Sequence, residues 1–432
     1  MEAPAVVPTL FLYHWQVYDP AVDQDSPGPE PGPGDGPGLR RPGAKVSRVG
    51  RRAMVVGAVV VLGLVVGVWA VFGRAGGHPA NHPRARAVAV RPGRHRPSPV
   101  VQLVVSASGD LLIHTQVFQR ALADGGGRRY NFAPMLAKIR PYIAGTDLAV
   151  CQVETPMSGP PFTGYPVFNT PPALAAAIRR TGWEACSTAG THTLDQGQRG
   201  VVGTIRALNR AHVAHTGSFT SAAAQKTPLI LTVKGVRVAF LAYTAITNGI
   251  PSPHPWSVNR ASAAQILADA RRARRAGAQA VIVNLHWGDE YIAQPSGFQL
   301  QLARRLTRSP AITAIVGQHV HVVQPIRFVH GKPVVFGEGN LISDQIGPGL
   351  PAASEDGMIV LLTIRVDSRG ARVTVVHYVP IWVRPADFVV LPAGIAWRTD
   401  HADAAALRAS YRRTVAAVGR TSRIQPIPAH LP

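Results

Sequence analysis

From Val100 onward, short apolar runs alternate with stretches whose apolar positions recur every three or four residues. The first pattern predicts strands and the second helices. "VVQLVVSASGD" reads as a strand ending at Asp110, and "NFAPMLAKIRPYI" as a helix leading to the strand "DLAVCQVET". "PPALAAAIRRTG" has Pro at its start and Gly at its end, as a helix should, and precedes the strand "WEACSTAG". "QRGVVGTIRALNRAH" is a further helix, and "LILTVKGVRVAFLAYT" is two strands folded about Lys234-Gly235, a hairpin signal. "SAAQILADARRARRAG" then leads to "AVIVNLHWGDE", and "FQLQLARRLTRS" to "AITAIVGQHVH". Helix followed by strand, repeated, predicts an α/β fold whose parallel strands are joined by right-handed crossovers. Beyond these lie a short strand, "PVVFGEGN", a hairpin, "GMIVLLTIRVDSRGARVTVVHYVPIWV", turning near Asp367 to Gly370, and a closing helix, "ADAAALRASYRRTVAAVG". The late strands suit a second, partly antiparallel sheet packed face to face on the first, with helices outside.

The amino-terminal part lacks this pattern. Residues 1–52 include "PGPEPGPGDGPGLRRP", which offers too little apolar surface to offset the entropy of ordering, and are expected to form a disordered cytoplasmic tail. Residues 53–73, "AMVVGAVVVLGLVVGVWAVFG", carry no charge and are long enough as a helix to cross a bilayer core of about 30 Å. The basic residues just before this run outnumber those just after it, which predicts a single-pass anchor with the main domain outside the cytoplasm. Residues 74–99, rich in Pro, Arg and His, read as a linker, and 100–432 as one folded domain.

A formal charge of +22 invites a nucleic-acid reading, but the chain has five Lys against forty Arg, a skew that points partly to coding bias. The basic residues are scattered, no nucleic-acid motif is present, and "RRARR" at 271–275 is most simply a solvated helix face. Outside the cytoplasm such charge suits the membrane and an anionic envelope polymer or its precursor, without nucleic acid. Both cysteines, Cys151 and Cys186, lie near predicted strand ends. They either pair across neighbouring strands or stay as buried thiols.

In parallel α/β sheets the ligand site lies beyond the carboxyl ends of the strands. Here those ends carry Asp110, Glu154, His192 with Asp195, His286, and His319 with His321. In "GQHVHV", strand alternation would send His319 and His321 to one side. Two carboxylates with several imidazoles suit one or two divalent transition ions, Mn, Fe or Zn. Such ions clamp a phosphoryl group and lower the pKa of a bound water, with a carboxylate such as Glu154 between them. His192 could protonate the leaving oxygen while Asp195 orients its ring. Some of these residues also have a plainer use: Asp110 as a helix cap and Asp195 in a turn; Glu290 and Tyr291, beside Trp287, either line the pocket or lie on its rim. His114 is left outside the ligand set.

The ordered series "SGDLLIH", "DLAVCQVETP", "GYPVFNTPP", "TGWEACSTAGTHTLDQG", "NLHWGDEY", "GQHVHVVQP" and "GKPVVFGEGNLI" resembles the poly-gamma-glutamate capsule synthesis protein CapA family, related to calcineurin-like metallophosphatases. The membrane-anchored, Arg-rich form looks like actinobacterial members. The resemblance implies a four-layer α/β/β/α sandwich with Asp110, Glu154, His286, His319 and His321 as metal ligands, Glu154 bridging and His192 as acid. It also implies a role in making or exporting an anionic envelope polymer, alongside other polymer synthesis proteins. Where the family has Asn before the histidine of "THTLDQG", this chain has Thr191, a shorter neutral hydroxyl, which predicts a weakened second metal subsite. Gln318 stands where a further His is common, and Glu338 replaces an apolar residue and could lend a carboxylate. Two functions follow from these residues: a metal-dependent hydrolase of a phosphoester or related bond, or a non-catalytic polymer-binding assembly factor with a degenerate site.

Overall fold

The structure, a computed structural model, describes residues 100–428. The expected tail, membrane span and linker at 1–99 lie outside the described residues. Among the described residues no helix is long and apolar enough to cross a membrane.

The strands, in chain order, are β1 (Val101–Leu111), β2 (Leu148–Val153), β3 (Ala185–Ser187), β4 (Ala214–Thr216), β5 (Leu229–Val233), β6 (Val236–Thr244), β7 (Ala280–His286) and β8 (Ala314–Gln318). They continue as β9 (Ile326–Val329), β10 (Lys332–Val335), β11 (Asn340–Ile342), β12 (Asp356–Asp367), β13 (Gly370–Val383), β14 (Val390–Pro392) and β15 (Ile424–Pro426). One sheet runs β14-β13-β12-β1-β2-β3-β4, with β11 beside β1 and β15 beside β13. The other runs β5-β6-β7-β8-β10-β9. Strands β1 to β4 are mutually parallel, as are β6, β7, β8 and β10.

Period-two alternation assigns the faces. Leu148 and Val150 of β2 and Ala280 and Ile282 of β7 pack in one core between the two sheets. Their neighbours Ala149, Cys151 and Val153 pack instead under the helices Thr115–Asp124, Ala173–Thr181 and Gly197–Arg210. Val281, Val283 and Leu285 likewise meet the helices Ala263–Arg275 and Gly297–Thr307. The layering is therefore helix, sheet, sheet, helix. The helix Gly197–Arg210 shows the required stripe, burying Val201, Thr204, Ile205 and Leu208 and turning Arg199, Arg206 and Arg210 outward.

Several expectations need correction. The segment 131–143 is not one helix but two short ones, Ala133–Leu136 and Arg140–Ala144, because Pro141 has no N–H to continue the ladder. The hairpin β12–β13 does not join the second sheet. It lies antiparallel on β1 from Val101↔Val366 to Ser108↔Ile359 and covers an edge of that strand that would otherwise stay unpaired. The final helix, Ala404–Val418, does not close the fold, since β15 follows it and adds to β13. The expected hairpin at Lys234-Gly235 is present, with positive φ of 48° and 77° at its two turn residues.

Cys151 and Cys186 sit opposite each other on β2 and β3 and form a disulfide.

Candidate metal centre

The rows of side chains between the sheets change character toward one end. Beyond Val150, the next inward positions of β2 are Gln152 and then Glu154; beyond Ile282, those of β7 are Asn284 and His286. Asn284 Nδ2 donates to Gln152 Oε1 at 3.1 Å, tying the sheets together just below the site. Glu154 and His286 are the next step along the same rows. Asp110 reaches this side only because the β1–β2 register slips between Ala107 and Asp110. The slip exchanges inward and outward positions, so that Leu111 packs under the helices while Asp110 does not. A Cβ on neighbouring Gly109 would stand 1.9 Å from the Gly339 carbonyl oxygen, so only glycine lets the 338–340 loop approach this closely.

His319 and His321 correct the alternation argument. Both follow β8, which ends at Gln318, and both have positive φ, 96° and 58°. Continued alternation would have sent them with Ile315 toward the helix-covered face. Two left-handed residues, each costing about 1–3 kcal/mol for a side chain other than Gly, redirect them to the site.

There, Glu154, His319 and His321 each offer one ligand atom, all within 4.8 Å of one another. His286 stands between both carboxylates, with Nδ1 3.5 Å from Asp110 Oδ1 and Nε2 3.3 Å from Glu154 Oε1. These contacts lack hydrogen-bond alignment: both Glu154 oxygens, Asp110 Oδ1 and His286 Nδ1 are buried without a hydrogen-bond partner. Unpartnered buried carboxylates are costly unless they meet a cation. That orphaned set of oxygens beside imidazoles fits a divalent transition metal, with Glu154, His319 and His321 close enough to share one and Asp110 and His286 against them.

The charges point the same way. Burial and the Glu154 charge raise the Asp110 carboxyl. Burial also opposes ionisation of Glu154, but His286 beside it prevails and holds that carboxyl below the usual range. Burial would lower His286, yet Glu154 and Asp110 lift it to about 9. His319, buried and next to His286 and His321, is lowered well below its ordinary value. In the protein alone, a protonated His286 supplies the positive charge that the carboxylates require.

The orientation of His321 follows from its neighbour. Asn340 Nδ2 donates to Gln345 Oε1 at 2.9 Å and to the Ser354 carbonyl at 3.0 Å, so its Oδ1 accepts from His321 Nδ1 at 3.0 Å. The His321 lone pair is thereby left on Nε2. Asp110 Oδ2 also fixes the turn, accepting from the His319 backbone N–H at 3.0 Å.

Thr191 lies at the edge of this cluster. Its Oγ1 is 2.9 Å from His286 Nε2 and 3.1 Å from His319 Nδ1. With His286 protonated and His319 neutral, the hydroxyl accepts from the first and donates to the second. Among the described residues no hydrogen bond joins Glu338 to Thr191. Its Oε2 accepts from Gln318 Nε2 at 2.7 Å, and its fully buried Oε1 has no hydrogen-bond partner.

Next to the cluster, His192 Nδ1 donates to Asp195 Oδ2 at 2.7 Å. The same carboxylate accepts from the Phe168 backbone N–H at 2.7 Å and, on Oδ1, from Asn248 Nδ2 at 3.0 Å. The Phe168 ring meets His192 edge-on, with centroids 4.4 Å apart. His192 is thus locked with Nδ1 protonated, which leaves Nε2 to exchange a proton. Phe168 also meets His114, whose Nδ1 accepts from the Asp344 backbone N–H at 3.1 Å, and whose pKa burial lowers to about 4. His114 therefore supports the wall of the site. Tyr291 sits with its ring 5.8 Å from that of His321 and its hydroxyl accepting from Gln345, whereas Glu290 is exposed. Asn340, Asn248 and Phe168 are the functional neighbours that the sequence did not reveal. Asn340 at least stood in the quoted "GEGN" segment, while Asn248, in an irregular loop, gave no signal.

The description "bacterial capsule synthesis protein PGA_cap" belongs to the family whose model matches residues 104–345, from β1 through the Asn340 loop. The capsule biosynthesis protein CapA of Bacillus anthracis is 27% identical over 271 residues, 60% of this chain and 64% of that protein. A polyglutamine synthesis accessory protein of Mycobacterium tuberculosis is 27% identical over 224 residues, 47% of this chain and 57% of that one. The chain thus spans less than two thirds of the length of these relatives. Among solved structures, the calcineurin-like phosphoesterase YfkN of Bacillus subtilis overlaps 72% of this chain and 100% of that chain at 14% identity, with a TM-score of 0.44, too loose to carry a functional conclusion. More than half of the chain, including every candidate ligand, falls within the family match, and the protein belongs to the bacterial capsule synthesis protein family PGA_cap.

Proposed function

We propose that this protein is an accessory of capsule or envelope-polymer synthesis of the poly-gamma-glutamate type, held at the membrane by residues 53–73. Its folded part, on this reading, is a metallophosphatase-like hydrolase of a phosphoester or related bond. The observation that carries the hydrolase reading is the juxtaposition of the orphaned Asp110 and Glu154 carboxylates with the completed His192–Asp195 pair. A divalent ion held by Asp110, Glu154, His286, His319 and His321 would polarise a phosphoryl oxygen and supply a water of lowered pKa. The chain's own groups do the rest. Asp195 holds the His192 ring, and His192 Nε2 gives its proton to the departing oxygen. The His192 side chain keeps 10% of its surface exposed, enough to meet a substrate.

Metal content of the full-length protein, purified without chelator or histidine tag, tests this reading together with phosphoester turnover. Bound transition metal with turnover is expected; no metal, and no uptake of Mn, Fe or Zn when supplied, would overturn it. A second reading, a non-catalytic assembly factor, draws support from Thr191, whose hydroxyl occupies two candidate ligand nitrogens. Bound metal without turnover on any phosphoester would favour it.

A further inference from the structure

On the outer face of the first helical layer, away from the metal ligands, a groove of about 720 Å³ runs between the helices Ala173–Thr181 and Gly197–Arg210. Its floor is kept open by small residues, Ala175, Ala176 and Gly203 among them. Gly203 is needed there, because a Cβ would stand 2.4 Å from the Met157 carbonyl oxygen. One wall carries Arg199, Arg206 and Arg210, all exposed, and no Asp or Glu lines the groove. Arg199 donates only to the neutral Gln196, and among the described residues neither Arg206 nor Arg210 has a carboxylate within ion-pair distance. Several other surface arginines, Arg272, Arg365, Arg372, Arg384 and Arg413, each face an aspartate; here three without an ion pair among the described residues line a single concavity.

We infer that this groove binds a linear polycarboxylate chain, at a site separate from the metal centre. Along the helix the backbone positions of the three arginines are spaced by about 10.5 and about 6 Å, over about 16.5 Å in all. An extended α-linked chain with an acid on every residue presents same-side carboxylates about every 7 Å, and a γ-linked chain, with one carboxylate on each longer repeat, spaces them comparably, so several can pair at once. Planar guanidinium groups suit carboxylates bidentately. The span from Arg199 to Arg210 is too long for all three charges to converge on a single phosphate, and a concave trough admits a strand of polymer where a flat anionic membrane would touch only its rim. The choice of carboxylate over other anions rests on the envelope-polymer reading above; the groove itself does not depend on the metal.

Fluorescence anisotropy of a labelled linear glutamate oligomer with the full-length protein, at fixed salt, tests the inference. Joint Arg206→Glu and Arg210→Glu substitution should weaken binding at least tenfold, and Ala176→Trp, which fills the trough without altering charge, should do so by a similar factor. Arg271→Glu with Arg275→Glu, on the exposed face of another helix, should leave it within twofold. Glu154→Ala protein should still bind the oligomer, so that failure of the metal reading and failure of the groove are told apart. Equal weakening by both arginine pairs would reduce the effect to diffuse attraction and overturn the site, as would no weakening by Ala176→Trp or no binding to the unaltered protein. Tighter binding of linear polyphosphate than of the glutamate chain would overturn the carboxylate assignment. Circular dichroism and a thermal melt of each variant, read on the same samples, report that the fold is intact.

Discussion

His192 and His286 both face carboxylates at the same end of the sheets, yet their surroundings are finished differently. Asp195 accepts three hydrogen bonds, from His192, Phe168 and Asn248, and holds one ring in one tautomer. Glu154 and Asp110 leave three of their four oxygens unpartnered around His286. A completed network fixes a proton, whereas an incomplete one with two negative charges solicits a cation. The two regions should therefore fail in different ways when altered.

The largest effect is expected from Glu154→Ala, which removes a carboxylate from the centre of the cluster. Metal binding, measured by titration calorimetry, and turnover should be lost together; retained stoichiometric metal would displace Glu154 from the ligand set. Asp195→Asn should do the opposite. Metal content should hold while kcat for a phosphoester falls about 10²–10⁴-fold, the range of a general acid. Turnover at the wild-type rate would remove the pair from the mechanism.

Asn340→Leu probes a smaller contribution, the hydrogen bond that places the His321 lone pair on Nε2. Loss of such an outer partner typically weakens metal affinity about 10–100-fold. An unchanged isotherm would mean that the left-handed turn alone orients the ring.

The smallest expected effect concerns Glu338. Burial pushes its carboxyl up from 4.5 to about 8, against the Gln318 amide that donates to it and with the charge of Asp110 adding. Between those values the folded protein keeps a proton that the unfolded chain has released, so stability falls as pH rises through this window. Glu338→Gln should remove that part of the fall. Denaturant melts of chelated protein at pH 5 and pH 8 check this, and an equal decline in both proteins would show that Glu338 does not titrate there.

Much of this contrast was legible in the sequence because period-two alternation carries Glu154 and His286 to the same inter-sheet rows as Val150 and Ile282. Asp110 was found for a less complete reason. Its position at a strand end is local, but the register slip that turns it inward depends on the partner strand. Strand alternation predicts that His319 and His321 share a side, and they do, but through left-handed φ that is imposed by surrounding structure and has no residue signature. The placement of β12 and β13 escaped for a related reason. A hairpin signal fixes its two strands against each other and says nothing about which sheet edge receives them. Asn248 and Phe168 come from loops that pair with Asp195 only in three dimensions.

The Cys151–Cys186 bond has a practical consequence for anyone preparing the protein. It staples the strand that ends in Glu154 to the strand that leads to His192, closing a loop with a sequence separation of 35. By chain entropy such a closure is worth about 4 kcal/mol. A reductant in the storage buffer, or synthesis in a reducing host compartment, would remove this covalent tie and leave the two halves of the site joined by interstrand hydrogen bonds, the Gln152–Ala189 hydrogen bond and the packing of the core. Stability would then vary from batch to batch with thiol handling, even in samples of identical sequence.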